Sequence, residues 1–266
     1  LLFAAALFFS CGSLSAAESA QPSSPEDNSL AEFRAAIETE LAQKPQNAAL
    51  QKQLLEVKSM QRRAEMFARE NNPEMAAKLG SVLRRFYYRH QMFAAAEQID
   101  RRLLAMKPDH SRTFALGETL LNSNKNQEAA ELLRHCNWRE DERTGKLLTA
   151  LAAARINDPE TTRRLLAEIP DERCTPQERL LAVTAAARIG DVQRAAAGVA
   201  RILKEAPARE NDALRKYFSG ADFAELLPNP AFQTALQTRS SAKKHDSCAG
   251  CPNRGTSRCN DAGKCR

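Results

Sequence analysis

From Leu30 onward, apolar residues return at steps of three and four along the chain, the spacing of a helix that buries one face. Turn residues and prolines interrupt the runs. Leu30 to Lys44 and Asn47 to Asn71 read as two helices, ended by Pro45 and Pro73. Further on, the helices are apolar on more than one side, which suits a helix packed against its own partner and against the next pair. No run of alternating β-branched residues lies between turn signals, so the pattern predicts an all-α protein.

The helical runs recur at a fixed step. Ala96, Ala129, Thr162 and Ala195 are small residues 33 apart, each placed early in the second helix of a hairpin. The turns between the two helices follow the same step, at Gln91, Asn124, Asn157 and Gly190. Apolar residues follow each small one: Ile99, Leu132 with Leu133, Leu165 with Leu166, and Val199. Pro108 closes one unit and Pro207 closes another three periods later. Helix starts are marked too. Thr175-Pro176-Gln177-Glu178 has the form of a capping box with proline at the first helical position, and Asp158-Pro159 opens a helix in the same way.

On these residues the chain resembles the tetratricopeptide repeat. Leu116-Gly117 matches the Leu-Gly pair of the motif's helix A, Leu120 its large residue three positions on, and Ala129 its small residue in helix B. The preceding unit matches through Leu83, Tyr87, Phe93 and Ala96, with Pro108 after its second helix. Later units depart from the pattern: Ala150 and Val183 replace the glycine, Thr162 replaces the alanine, and the period is one shorter than the family's commonest 34. Ankyrin repeats also run 33 residues, but no Thr-Pro-Leu-His signature is present. The resemblance implies a right-handed α-solenoid of helix hairpins. It divides the chain into N-terminal helices over 30–76, four repeats over 77–208 and capping helices over 209–238, with Phe223, Leu226 and Phe232 covering the last apolar face.

The family binds partners with groove-facing residues of helix A. One such position holds Arg89, Asn122, Arg155 and Arg188, and neighbouring ones hold Arg85, Tyr88, Phe114 and Glu118. A stripe of arginines offers bidentate donors to carboxylates, which points to an acidic or extended C-terminal peptide as partner. Equally, arginine near a helix C-terminus favours the helix dipole and needs no partner, and Arg134, Arg164 and Arg194 recur outside this register.

Residues 1–17 read as a secretory signal peptide. Their apolar run, LLFAAALFF, is too short to span a bilayer, and Ser15-Ala16-Ala17 predicts cleavage after Ala17. Alternatively, Phe8-Phe9-Ser10-Cys11 resembles a lipoprotein box that would lipidate Cys11 and tie the chain to a membrane. Residues 18–29, rich in Ser, Pro and Glu, read as a linker. Export, to the periplasm or outside the cell, would suit the cysteines. Cys248, Cys251, Cys259 and Cys265 crowd a basic tail over 239–266, where two disulfides compete with a zinc site of four thiolates and with a redox Cys-x2-Cys. Cys136 and Cys174 fall near the ends of corresponding helices in adjacent units. They can bond only if the loop bearing Cys174 folds back, and otherwise remain separate thiols.

Charge changes the picture little. The net charge is +6, but the tail carries +5 of it through seven basic and two acidic residues, so no nucleic-acid partner is expected for the nearly neutral body. His90, His110, His135 and His245 form no metal-binding spacing, and there is no phosphate loop or nucleophile elbow. The sequence therefore reads as a binding scaffold of the bacterial cell envelope, without cofactor or enzymatic activity. A lipid-anchored assembly factor and a metal-binding protein acting through its tail are the alternatives.

Overall fold

A computed structural model describes residues 25–241. These residues form twelve α-helices and no strand. In chain order they are α1 (Pro25–Gln43), α2 (Ala48–Arg69), α3 (Pro73–Arg89), α4 (Phe93–Met106), α5 (His110–Asn122), α6 (Asn126–Arg134), α7 (Arg143–Arg155), α8 (Pro159–Ala167), α9 (Pro176–Arg188), α10 (Val192–Glu205), α11 (Asn211–Phe218) and α12 (Pro230–Leu236). The signal-peptide residues, the lipidation candidate Cys11 and the four tail cysteines lie outside the described residues. α1 starts at Pro25, inside the stretch read as a linker. A proline at the first position suits a helix start, because its φ is preset.

The 33-residue step carries through to the helix boundaries. α5, α7 and α9 begin 33 residues apart, as do α4, α6, α8 and α10, and α3, α5, α7 and α9 all end in step. Side-chain caps set many of the starts. Asn47, Asn72, Asp109, Asp158, Asp191 and Asn229 each accept from backbone amides of the first turn. At α9 the capping box closes both ways: Glu178 Oε2 accepts from the Thr175 amide at 2.8 Å, and Thr175 Oγ1 accepts from the Glu178 amide at 3.3 Å.

One turn ends α3, α5, α7 and α9 alike. Gln91, Asn124, Asn157 and Gly190 have φ of 57°, 58°, 59° and 72°. In each turn the next residue's amide reaches back five residues, from Met92 to Tyr87, Lys125 to Leu120, Asp158 to Ala153 and Asp191 to Ala186, all at 2.9 Å. This is the Schellman arrangement, in which a left-handed residue turns the last amides back onto orphan carbonyls.

The described residues divide into two compact units, one ending at Ala185 and the other starting at Ala186, with the division inside α9. In the first unit, successive helices from α1 to α8 pack against one another in order, and α5 also touches α7. Its core includes Phe67, Leu83, Tyr87, Ile99, Leu120, Leu133 and Leu147, all fully buried. Each such side chain contributes about 1.5–3 kcal/mol by leaving water. The small repeat residues Ala96, Ala129 and Thr162 are completely buried there, so the space they leave is filled by neighbouring helices. The loop between α6 and α7 carries Trp138, whose ring lies against Gly145 too closely to leave room for a β-carbon.

In the second unit, α10 packs against α11 and α12. Ala195 is completely buried. Tyr217, Phe218 and Phe223 meet edge to face, and Phe223 stacks on Phe232 at 5.9 Å. Arg215 ties down the end of α12 by donating to the Leu236 and Thr238 carbonyls, each at 3.0 Å.

Candidate functional site

The four in-register positions of the proposed groove are the last residues of their helices. Arg89 ends α3, Asn122 ends α5, Arg155 ends α7 and Arg188 ends α9. The three arginines therefore sit at the negative end of a helix dipole. Each is also engaged within its own unit. Arg89 pairs with Glu56 at 2.7 Å, Arg155 Nη1 donates to the Leu121 carbonyl at 2.8 Å, and Arg188 Nε stands 3.7 Å from Asp222. Arg85 is exposed and makes no ion pair among the described residues, while Phe114 and Asn122 are half-buried.

Tyr88 and Glu118, expected side by side on the groove, do come together, but around a centre that sequence reading missed. Arg84 lies over the Tyr88 ring, 4.3 Å from its centroid. Its Nε donates to Asp100 Oδ2 at 3.0 Å, and its Nη2 donates to Glu118 Oε2 at 2.7 Å and to the Tyr88 hydroxyl oxygen at 2.9 Å. The Tyr88 hydroxyl is 2.6 Å from Thr119 Oγ1, which in turn donates to Asp100 Oδ2 at 2.6 Å. Three helices, α3, α4 and α5, thus meet through one guanidinium. Asp100 is only 2% exposed and Tyr88 is buried.

Electrostatics follow from that burial. Desolvation raises the Asp100 carboxyl above its ordinary value, against the opposing pull of Arg84 and the Thr119 hydrogen bond. Desolvation likewise raises Tyr88, so the phenol keeps its proton. Burial works against the charge of Arg84, but Tyr88, Asp100 and Glu118 more than reverse it. A charge so placed costs several kcal/mol unless it is paired, and here Nε and Nη2 of Arg84 both bond internally. The cluster is a clamp between helices. It leaves Tyr88 little surface for a ligand's apolar side chain.

A second cluster lies between α5 and α7. His110 Nδ1 is 2.6 Å from Glu142 Oε2, its ring meets Trp138 edge to face at 5.4 Å, and Trp138 Nε1 donates to Thr149 Oγ1 at 2.9 Å. Beside it is a shallow depression of about 300 Å³ lined in part by His110, Thr113, His135 and Cys136. Burial, and then the charge of Glu142, push the Cys136 thiol upward. At neutral pH it stands as S–H, which is a poor nucleophile.

Cys136 and Cys174 are separate free thiols, the loop geometry leaving each where the repeat frame puts it. Burial raises Cys174 as well, and its thiol donates to the Pro170 carbonyl at 3.6 Å. Among the described residues no three His, Cys, Asp or Glu side chains are grouped to hold a metal ion, and no helix is long and apolar enough to cross a membrane. The disulfide and zinc candidates Cys248, Cys251, Cys259 and Cys265 lie outside the described residues.

Two signals in the sequence mark the Arg84 cluster in hindsight. Asp100 stands where the repeat frame places core residues, since Leu133, Leu166 and Val199 follow it in register. A carboxylate at a core position demands a buried cation. Thr119 likewise occupies the register of Phe86, Ala152 and Ala185. The chain matches no protein-family model, no curated protein and no solved structure.

Proposed function

We propose that this chain is an exported interaction scaffold of the bacterial cell envelope, a right-handed stack of tetratricopeptide-like hairpins that binds a peptide or protein partner on its first-helix faces. The observation that carries the reading is the recurrence, every 33 residues, of one left-handed turn at Gln91, Asn124, Asn157 and Gly190. A repeated turn holds successive hairpins to one geometry, which is how repeat arrays present extended binding surfaces. The close seat of Leu133 against Gly117 supports the same reading, because Gly117 belongs to the Leu-Gly pair that resembles the family's motif.

Within the expected groove, Arg85, Phe114 and Asn122 are the residues open to a partner. Tyr88 and Glu118 are committed to the Arg84 clamp, and Arg89, Arg155 and Arg188 to their helix ends. The binding surface is therefore smaller and less basic than a continuous arginine stripe. Export rests on the apolar leader and the cysteine set, and a labelled fatty acid supplied to producing cells separates lipidation at Cys11 from cleavage after Ala17.

The test is site-specific photocrosslinking. A benzophenone amino acid at position 114 of the full chain, exposed to envelope extract, is expected to give a discrete adduct. Arg85→Glu should diminish the adduct, whereas a triple Arg89→Ala, Arg155→Ala, Arg188→Ala variant that stays folded should retain it. Absence of any adduct at 114, with crosslinks arising instead from the opposite helix faces, would remove the groove reading.

A further inference from the structure

Among the described residues only four large apolar side chains are conspicuously exposed, and all four lie on the consecutive helices α2 and α3. They are Leu55 at 68%, Met66 at 59%, Met75 at 45% and Val82 at 37%. Single exposed apolar residues are ordinary on any surface, but their confinement to one helix pair is not. Leu55 and Met66 are eleven residues apart, so they share one face of α2 about 16 Å apart along its axis. Met66 and Met75 stand close to the two ends of the loop that joins the helices. The opposite side of α2, through Leu50, Val57, Met60, Ala64 and Phe67, is already buried.

The charges beside these residues are mostly positive. Lys52, Arg62 and Arg69 lie within about 60° of Leu55 around the α2 axis, and exposed Lys78 lies beside Met75 and Val82 on α3. None of the four makes an ion pair among the described residues. Elsewhere most arginines are paired. The exposed acids lie at the edge: Glu65 and Glu74 are each roughly a quarter turn from Leu55 and Met75, and Glu56 is bound to Arg89 at 2.7 Å. Unpaired cations around exposed methionines and a leucine make a surface that is adaptable in shape and positive in potential.

We infer that the α2–α3 face is a docking surface for an acidic amphipathic helix of a partner protein. Leu55, Met66, Met75 and Val82 would receive its apolar residues, and Lys52, Arg62, Arg69 and Lys78 its carboxylates. Charge complementarity selects this occupant. A second copy of the chain would bring the same cations face to face. An anionic bilayer would need a broad apolar face to enter the acyl region, and α2 has turned its broad face to the core. The surface adjoins Arg85 on α3, but it does not depend on the groove assignment.

The experiment uses the full chain and a fluorescein-labelled synthetic helix with leucines eleven residues apart and flanking glutamates. A matched peptide has lysine for every glutamate. Fluorescence anisotropy should show salt-sensitive binding of the acidic peptide and none of the basic one. Leu55→Glu with Met66→Glu should weaken binding roughly ten-fold or more, as should Arg62→Glu with Arg69→Glu. These side chains are exposed, so an unchanged circular dichroism spectrum is expected and confirms that folding is not the cause. Arg139→Glu, on the exposed loop between α6 and α7, should bind normally. Equal binding by all variants would overturn the inference. So would binding to phosphatidylglycerol vesicles but not to the peptide, or a sedimentation dimer abolished by the Leu55→Glu, Met66→Glu pair.

Discussion

A β-carbon built on Gly117 would meet Leu133 Cδ2 at 2.7 Å and Leu133 Cγ at 2.9 Å. Leu133 is completely buried, so its whole isobutyl group has nowhere to retreat. In an open helix, Gly→Ala stabilises by about 1 kcal/mol. Here the sign should reverse. Gly117→Ala is expected to lower stability by about 1–3 kcal/mol, the usual cost of overpacking, as read from the urea midpoint. A stabilised variant would mean that α5 and α6 are not in close contact.

The Arg84 clamp makes an asymmetric statement about stability. Asp100→Ala leaves Arg84 short of its more buried carboxylate partner and should cost about 3–5 kcal/mol, the range for breaking a buried pair. Asp100→Ala made on top of Arg84→Met should cost distinctly less, because no uncompensated charge remains. A double-mutant cycle by chemical denaturation measures the difference, and additive losses would contradict the clamp.

His90 provides the pH dependence. Its ring lies between Phe33 and Phe86, at centroid distances of 4.7 and 4.5 Å, with Nε2 buried and without a hydrogen-bond partner. Desolvation lowers it from the ordinary 6.5; Glu56 pulls the other way and Arg89 adds to the lowering. A histidine lowered in the folded state binds its proton more readily when unfolded. The folded state is then favoured above about pH 6.5 and loses that advantage as pH falls through the unfolded value. Glu97 and Glu178, held below 4.5, do not titrate in the same window. The urea midpoint should therefore fall between pH 7.5 and pH 5.5, and His90→Leu should flatten the fall. An equal fall in the variant would assign the effect elsewhere.

The turns predict opposite signs at equivalent positions. Gln91 holds φ of 57° with a side chain that disfavours it, and it is exposed. A left-handed residue with a β-carbon costs about 1–2 kcal/mol, more than the added chain entropy of glycine. Gln91→Gly should raise the melting temperature by a few degrees, equivalent to about 0.5–1 kcal/mol. Gly190→Ala, which meets nothing within 4 Å, should lower stability by conformational strain alone.

Much of this fold was legible because its period is written twice, in the turns and in the small residues. A left-handed position selects Asn and Gly, and a tight helix contact selects Ala and Gly, so both leave marks that survive when other repeat residues drift. The helix ends at Arg89, Asn122, Arg155 and Arg188 fell in register for the same reason. Their engagement did not show. Whether an arginine at a helix end turns to a groove or to the Leu121 carbonyl depends on side-chain direction, which spacing does not encode. The Arg84 cluster was less visible still. Its partners are 16, 34 and 35 residues away, and only the misplaced polarity of Asp100 and Thr119 among core positions announced it. The start of α1 at Pro25 was obscured by a composition that suits both a linker and a helix cap.

The repeat itself is tested most directly by removing one unit. Residues 110–142 span one period, from the start of α5 to the residue before α7, and their deletion joins Asp109 to Arg143 in register. If the described helices are repeated modules, the shortened full-length chain should keep a helical circular dichroism spectrum and a single cooperative urea transition, though at a lower midpoint because the Arg84 clamp loses Glu118 and Thr119. Deleting residues 110–125, about half a unit, should abolish that transition. A 33-residue deletion that unfolds as completely as the half-unit deletion would contradict a modular repeat.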